Sequence, residues 1–270
     1  MTLPIPPELP LLPTPRERAF LLLMNPDANL EGLTAVVEGD PSLTTAALRA
    51  ANSAMSWPVR PVRTAPEAVV RLGATAVRHL ITATVVRSQF ASIEAAGIDA
   101  DELWRHLLGC ALLCEVQGPT EELRQVYFTA GLLHDLGRLA MAAQAPSRYR
   151  DVVFEAQSDV DACDAERFLF GVDHSEFGLR LCERWHLPSE VAVAVAQHHD
   201  AEPAPGIPTA LQTARGLISN LGIGDGVRSP ARRDAAVEEH PLLIRIGGWP
   251  ELMSRIRWFR DATTARPRSA

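Results

Sequence analysis

From Arg16 to about Arg260 the apolar residues recur at intervals of three and four, and the breaks between runs carry helix caps instead of hairpin turns. Nowhere does the strict alternation of a half-buried strand compete, so the pattern predicts an all-α, multi-helix bundle. Asp40-Pro41 opens a helix running towards Met55. Thr64-Ala65-Pro66-Glu67 has capping-box spacing with proline in the first turn, and starts a helix ending near Gly73, followed by another from Ala74 to about Phe90. Asp99 and Glu102 repeat the capping spacing ahead of Leu103, Trp104, Leu107 and Leu108. Further helices are predicted near 121–134, 147–158, 161–170, 173–185, 188–199 and 209–221. Residues 222–239, rich in Gly, Pro and charge, read as a loop before a last helix over 250–260. Within that loop, Gly222-Ile223-Gly224-Asp225-Gly226 comes directly after a helix, so it reads as a helix stop and not as a dinucleotide fingerprint.

Pro4, Pro6, Pro7, Pro10, Pro13 and Pro15 forbid a helix over 1–15 and predict an extended arm. A helical half over 16–95, a second over 96–225, a loop and helix over 226–262, and a disordered tail over 263–270 complete the expected organisation. The first half carries many Ala, Val and Leu residues that need covering, which predicts that the two halves pack on one another.

The sequence contains no lysine, which removes P-loop phosphate binding and Schiff-base catalysis. A net charge of -7 argues against capture of a nucleic-acid backbone. Cys110, Cys114, Cys163 and Cys182 lie in apolar surroundings and do not resemble a disulfide framework, and no segment has the make-up of a signal peptide or a bilayer span. A cytoplasmic protein without membrane or nucleic-acid partners is expected.

The residues able to carry chemistry are the histidines: His106 inside a helix, the pair His134-Asp135, His174 at a helix start, and His198-His199 at a helix end. Divalent metals held by imidazole and carboxylate need ligands from several helices, because one helix face offers only positions three or four apart. Pairs at helix ends escape that limit, since neighbouring side chains can turn into one cavity. A hydrogen-bonded histidine cluster without metal has the same sequence pattern. Cys110 and Cys114 share a helix face with Leu107, Leu108, Leu112 and Leu113, and read as core.

The run Ala130-Gly131-Leu132-Leu133-His134-Asp135-Leu136-Gly137-Arg138-Leu139 resembles the central motif of HD-superfamily proteins. Asp40 to Ser53, Ala68 to Gly73, Asp173 to Gly178, Arg184 to Pro188 and His198-His199 resemble, in order, segments of the HDOD branch. The resemblance implies an HD-like helical bundle, with metal ligands at His106, His134, Asp135 and His174, and a second metal near His198 and His199. It also implies a further aspartate on a late helix, where Leu211-Gln212-Thr213-Ala214-Arg215-Gly216-Leu217 places Arg215 instead. One carboxylate and neutral imidazoles beside a guanidinium do not balance two divalent cations. The expectation is therefore no cofactor, or at most one divalent metal, iron, zinc or manganese, on His106, His134, Asp135 and His174. The implied function is a non-catalytic signalling module acting on other signalling proteins or on a second copy of itself. A metal-dependent phosphohydrolase is the competing reading, and would need a replacement carboxylate from Asp173, Glu176 or Asp200.

Overall fold

The computed structural model describes residues 8, 10, 19, 29–53, 60–90, 93–157, 161–227 and 233–264. Among them every regular element is helical. The helices are α1 Leu30–Gly39, α2 Pro41–Ala51, α3 Ala65–Gln89, α4 Ala100–Glu115, α5 Glu121–Leu133, α6 Leu136–Gln144, α7 Pro146–Gln157 and α8 Ala162–Phe170. They continue as α9 His174–Arg184, α10 Ser189–Gln197, α11 Ile207–Asn220, α12 Pro241–Ile246 and α13 Trp249–Thr263, with 3-10 turns at Ile93–Ala96 and Ala235–Glu239.

The caps inferred from sequence act as caps. Asp40 accepts from Ser42 N at 2.7 Å and Asp99 from Glu102 N at 2.9 Å, satisfying amides that a helix start leaves without partners. Gly73, at φ 78° and ψ 165°, is not helical and breaks α3 into the two helical runs expected on either side of it. Three helices were not separately foreseen: α1, α6 and α12, the last coming directly after the loop of 222–239. Most of the expected 1–15 arm and 263–270 tail lies outside the described residues, as does Met55. From the arm, Pro10 O accepts a hydrogen bond from Trp185 Nε1 at 2.8 Å. One described helix, α3, is long and apolar enough to cross a membrane, and most of it is buried in the protein.

The chain divides into two compact units, Leu12–Gln89 with Met253–Ala270, and Phe90–Leu252 with Met1–Leu11. In the first, α1 and α2 pack on α3, burying Leu33, Val37, Leu43, Ala47 and Val69, and Trp258 Nε1 donates to Ser53 Oγ at 2.9 Å.

In the second unit, α4 packs against α5 and α11, α6 against α9, and α9 against α10. Two glycines set how closely these helices approach. A Cβ on Gly131 would lie 2.7 Å from Ala111 Cα, and one on Gly137 would lie 2.0 Å from the carbonyl oxygen of His174. Only glycine lets α6 reach the first turn of α9, and this contact brings the end of α5 beside His174.

Candidate functional site

Helix α5 stops at Leu133, and the chain turns through His134 (φ -58°, ψ -34°) and Asp135 (φ -94°, ψ 21°) before α6 begins. Asp135 occupies the N-cap position of α6 without a side-chain capping bond, so its carboxylate is free to face the interior. Helix α10 ends in the same manner at His198. His174 is the first residue of α9, capped by Asp173, which accepts from Glu176 N at 2.8 Å.

These breaks bring Asp135, His174, His198 and His199 together, with one ligand atom from each lying within 4.8 Å of all the others. His174 Nε2 is 3.2 Å from Asp135 Oδ1, 3.1 Å from His198 Nε2 and 3.0 Å from His199 Nε2. His134 Nδ1 donates to Gly131 O at 2.8 Å and His198 Nδ1 to Val195 O at 2.6 Å, because a carbonyl can only accept. In the neutral rings Nε2 therefore keeps its lone pair and points it inward. His106 falls into a different group, with Cys110 and His134. His134 Nε2 also lies 3.4 Å from Asp135 Oδ2, so the four residues implied by the resemblance run contiguously from His106 through His134 and Asp135 to His174, with His198 and His199 beside Asp135 and His174.

Two buried side chains that the sequence reading did not single out organise the centre. Glu166 on α8 accepts from His174 N at 2.8 Å, pairs with His174 Nδ1 at 2.6 Å, and accepts from Tyr149 Oη at 2.5 Å. Arg138, 1% exposed, lies 3.3 Å from Asp135 and 3.0 Å from Asp225. The glycine segment read as a helix stop does end α11, and it also delivers Asp225 to this arginine. A signal for Glu166 existed in the sequence: it lies on the stripe of Ala162, Cys163 and Phe170, where a carboxylate needs a buried partner. Arg138 falls one turn after Asp135 on α6, within salt-bridge reach.

The layout sets the electrostatics. Burial opposes charge on His174, but the Glu166 carboxylate outweighs it and holds His174 protonation well above the usual imidazole range. Burial likewise opposes charge on Asp135, but the Arg138 guanidinium holds its carboxyl well below the ordinary range. Desolvation pushes His134 well down and His198 down to about 4, and nearby Arg215 adds to both effects. The proton on His174 Nε2 therefore faces Asp135 Oδ1, His198 Nε2 and His199 Nε2 together.

Arg215 on α11 donates to the backbone oxygen of His198, with its other terminal nitrogen 3.5 Å from the His199 ring. None of the candidate replacement carboxylates enters the set. Asp173 caps α9 and pairs with Arg167, Glu176 pairs with Arg180, and Asp200 is exposed.

The donor set fits one divalent cation. Asp135 Oδ1 is buried and faces imidazole nitrogens of His174 at 3.2 Å and His198 at 3.5 Å, with His199 Nε2 3.0 Å from His174. A second ion held by oxygen ligands does not fit, because the remaining carboxylates, Glu166 and Asp225, are held by His174 with Tyr149 and by Arg138.

The HDOD domain family matches residues 9–201. An HDOD domain protein of unknown function from Geobacter sulfurreducens superposes with TM-score 0.69 at 25% identity, covering 95% of this chain and 92% of that one. A protein from Marinobacter aquaeolei VT8, provisionally named for signal transduction, superposes with TM-score 0.70 at 24% identity, over 94% of this chain and 59% of that one. One from Shewanella amazonensis SB2B with a provisional phosphohydrolase name gives 0.68 at 23%, over 94% and 92%. An uncharacterized protein of Treponema pallidum (strain Nichols) is 24% identical over 203 residues, 73% of this chain but only 39% of that protein's length. With its helical architecture, its HD turn and a family match over most of its length, this chain belongs to the HDOD domain family.

Proposed function

We propose that this protein is a non-catalytic signalling module that acts through protein contacts, and that its HD centre is a structural core. The observation that carries this reading is enclosure. His134, Asp135, His174 and His198 are each 1% exposed or less, and Asp135 is held by the buried guanidinium of Arg138. Metal-assisted hydrolysis needs an open coordination position that substrate and water can reach, and carboxylates to balance the metal. Here only His199 of the set is exposed, and Arg215 stands beside it.

A divalent cation, if bound, would be held by Asp135, His174, His198 and His199, where it would act as a Lewis acid. Glu166 would orient His174 from the far side of its ring, in the way carboxylates commonly set a ligating imidazole. The convergence of these donors, with the provisional phosphohydrolase name of a structural relative, is what favours hydrolysis as a second reading.

Assay of nucleotide and cyclic-nucleotide phosphoesters with added manganese separates the two. No turnover is expected. Manganese-dependent turnover that vanishes in Asp135→Ala would establish the enzyme reading instead. Arg215→Asp tests the charge balance: the variant is expected to bind manganese, iron or zinc at least tenfold more tightly by calorimetry. Tight stoichiometric manganese in the wild-type protein would contradict the repulsion assigned to Arg215.

A further inference from the structure

Helices α7 and α8 pack against one another, and each buries an apolar side: Val152, Val153 and Ala156 on α7, Ala162 and Phe170 on α8. Their outer sides are not needed for that core, yet they carry Phe154, 67% exposed, and Phe168, 74% exposed. A single exposed apolar residue is ordinary on a protein surface. Phe168 is different because it walls a groove of about 290 Å³, lined also by Asp151 and Glu155 of α7 and by Asp164, Ala165 and Leu169 of α8. Phe154 follows Asp151 by three residues, on the same side of α7.

The groove is negative, and the protein does little to neutralise it. Asp151 and Glu155 are one turn apart, a spacing at which like charges destabilise a helix. Glu155 also sits in the last turn of α7, where the helix dipole is already negative and no basic residue answers it. The arginines of the two helices are engaged elsewhere. Arg148 lies over the Phe170 ring, Arg150 donates to Ala95 O at 2.6 Å, and Arg167 pairs with Asp164 and Asp173. Among the described residues, Asp164 is thus the one groove carboxylate with a cation, and Asp151 and Glu155 have none. Two local conflicts, like charges in register and a phenylalanine in water, therefore meet at one groove, which is where a functional surface is expected to depart from the rules of folding.

Carboxylates beside an aromatic ring fit a guanidinium, which grips carboxylate oxygens in a fork, stacks on the ring face, and lays its methylene stem on apolar surface. A wholly apolar occupant would strip water from Asp151 and Glu155 without replacing it, and a polyanion would be repelled. We propose that the outer face of α7 and α8, centred on Asp151, Glu155 and Phe168, is the docking surface for an arginine-bearing segment of a partner protein. This inference rests on the contact-signalling reading above and names the surface and the partner's chemistry. The inner sides of the same helices carry Tyr149 and Glu166, so the partner docks on the reverse of the pair that holds His174.

The probe is a fluorescently labelled peptide alternating arginine and leucine, titrated with the full chain at low salt and read by anisotropy. Saturable binding is expected, and roughly tenfold weaker binding when citrulline, equal in size but uncharged, replaces arginine. Phe168→Ala, and Asp151→Asn combined with Glu155→Gln, should each weaken binding of the arginine peptide by about the same factor. Glu183→Gln combined with Glu190→Gln removes equal charge from exposed positions of α9 and α10 and should leave binding unchanged. Circular dichroism checks the fold of each variant. If Phe168→Ala loses helix, peptide-induced shifts of the Phe168 ring protons in the wild-type protein provide the same decision. Absence of saturable binding overturns the proposal, as does equal binding of the citrulline peptide or equal weakening by the α9 and α10 variant. Self-association of the wild type that Asp151→Asn with Glu155→Gln abolishes also overturns it, because a second copy then covers the groove. The expected binding pattern in a protein that also hydrolyses phosphoesters upholds the surface and defeats only the non-catalytic reading.

Discussion

In the unit of residues 12–89 and 253–270, the described core is mainly alanine and aliphatic, and its buried threonines bond back within their own helix: Thr82 to Arg78 O and Thr84 to Leu80 O. In the unit of residues 90–252, the buried polar groups find partners on other helices. Glu166 meets Tyr149 and His174, Arg138 meets Asp225, and His174 meets Asp135, His198 and His199. The first arrangement satisfies its buried threonines locally and rests mainly on apolar burial; the second depends on several helices arriving in register. Loss of shape should therefore dominate in one unit and loss of charge in the other.

The largest effect is expected from Glu166→Gln, which keeps volume but leaves His174 and Arg138 short of a negative charge. Breaking a buried ion pair costs about 3–5 kcal/mol. Chemical denaturation should register most of that loss, and a cost near that of a surface substitution would undo the contrast between the units.

Acid should come next. His198 is held neutral, down to about 4 from 6.5, so below pH 6.5 the unfolded chain binds a proton that the folded chain does not. Its contribution is complete above pH 6.5 and is lost progressively as pH falls towards about 4, a loss on the order of 3 kcal/mol. His134 shifts in the same direction. His174 does not offset the loss, because with its raised value it is protonated in both states over this range. Unfolding midpoints measured between pH 6.5 and 4.5 should fall, and the slope should flatten in His198→Gln.

Gly137→Ala places a methyl group against the His174 carbonyl and should cost about 1–3 kcal/mol through overpacking. Near-ultraviolet circular dichroism and denaturation would detect the shift of α9 away from Asp135. Thr84→Val, in the other unit, removes a hydrogen bond made within one helix, and about 1 kcal/mol is the expected limit. A loss of several kcal/mol there would mean that local satisfaction does not distinguish the units.

The helices, their caps and the breaks after His134 and His198 were legible because each depends on residues within one or two turns: Asp40 and Asp99 each cap the helix directly after them, and Gly73 breaks the helix that contains it. The ordered HD-like segments gave the family for the same local reason. Glu166 was only a charge on an apolar stripe, and Asp225 only a residue between glycines, until the tertiary structure set them against His174 and Arg138. The close approach of His198 and His199 to His174 was equally hidden, because it depends on where whole helices cross. Sequence by itself determined an all-helical HDOD chain with metal-capable side chains at helix ends. Only the tertiary structure decided which of them share a centre and which charges they face, because hydrogen bonds and Coulomb forces act over a few ångströms in space, whatever the separation along the chain.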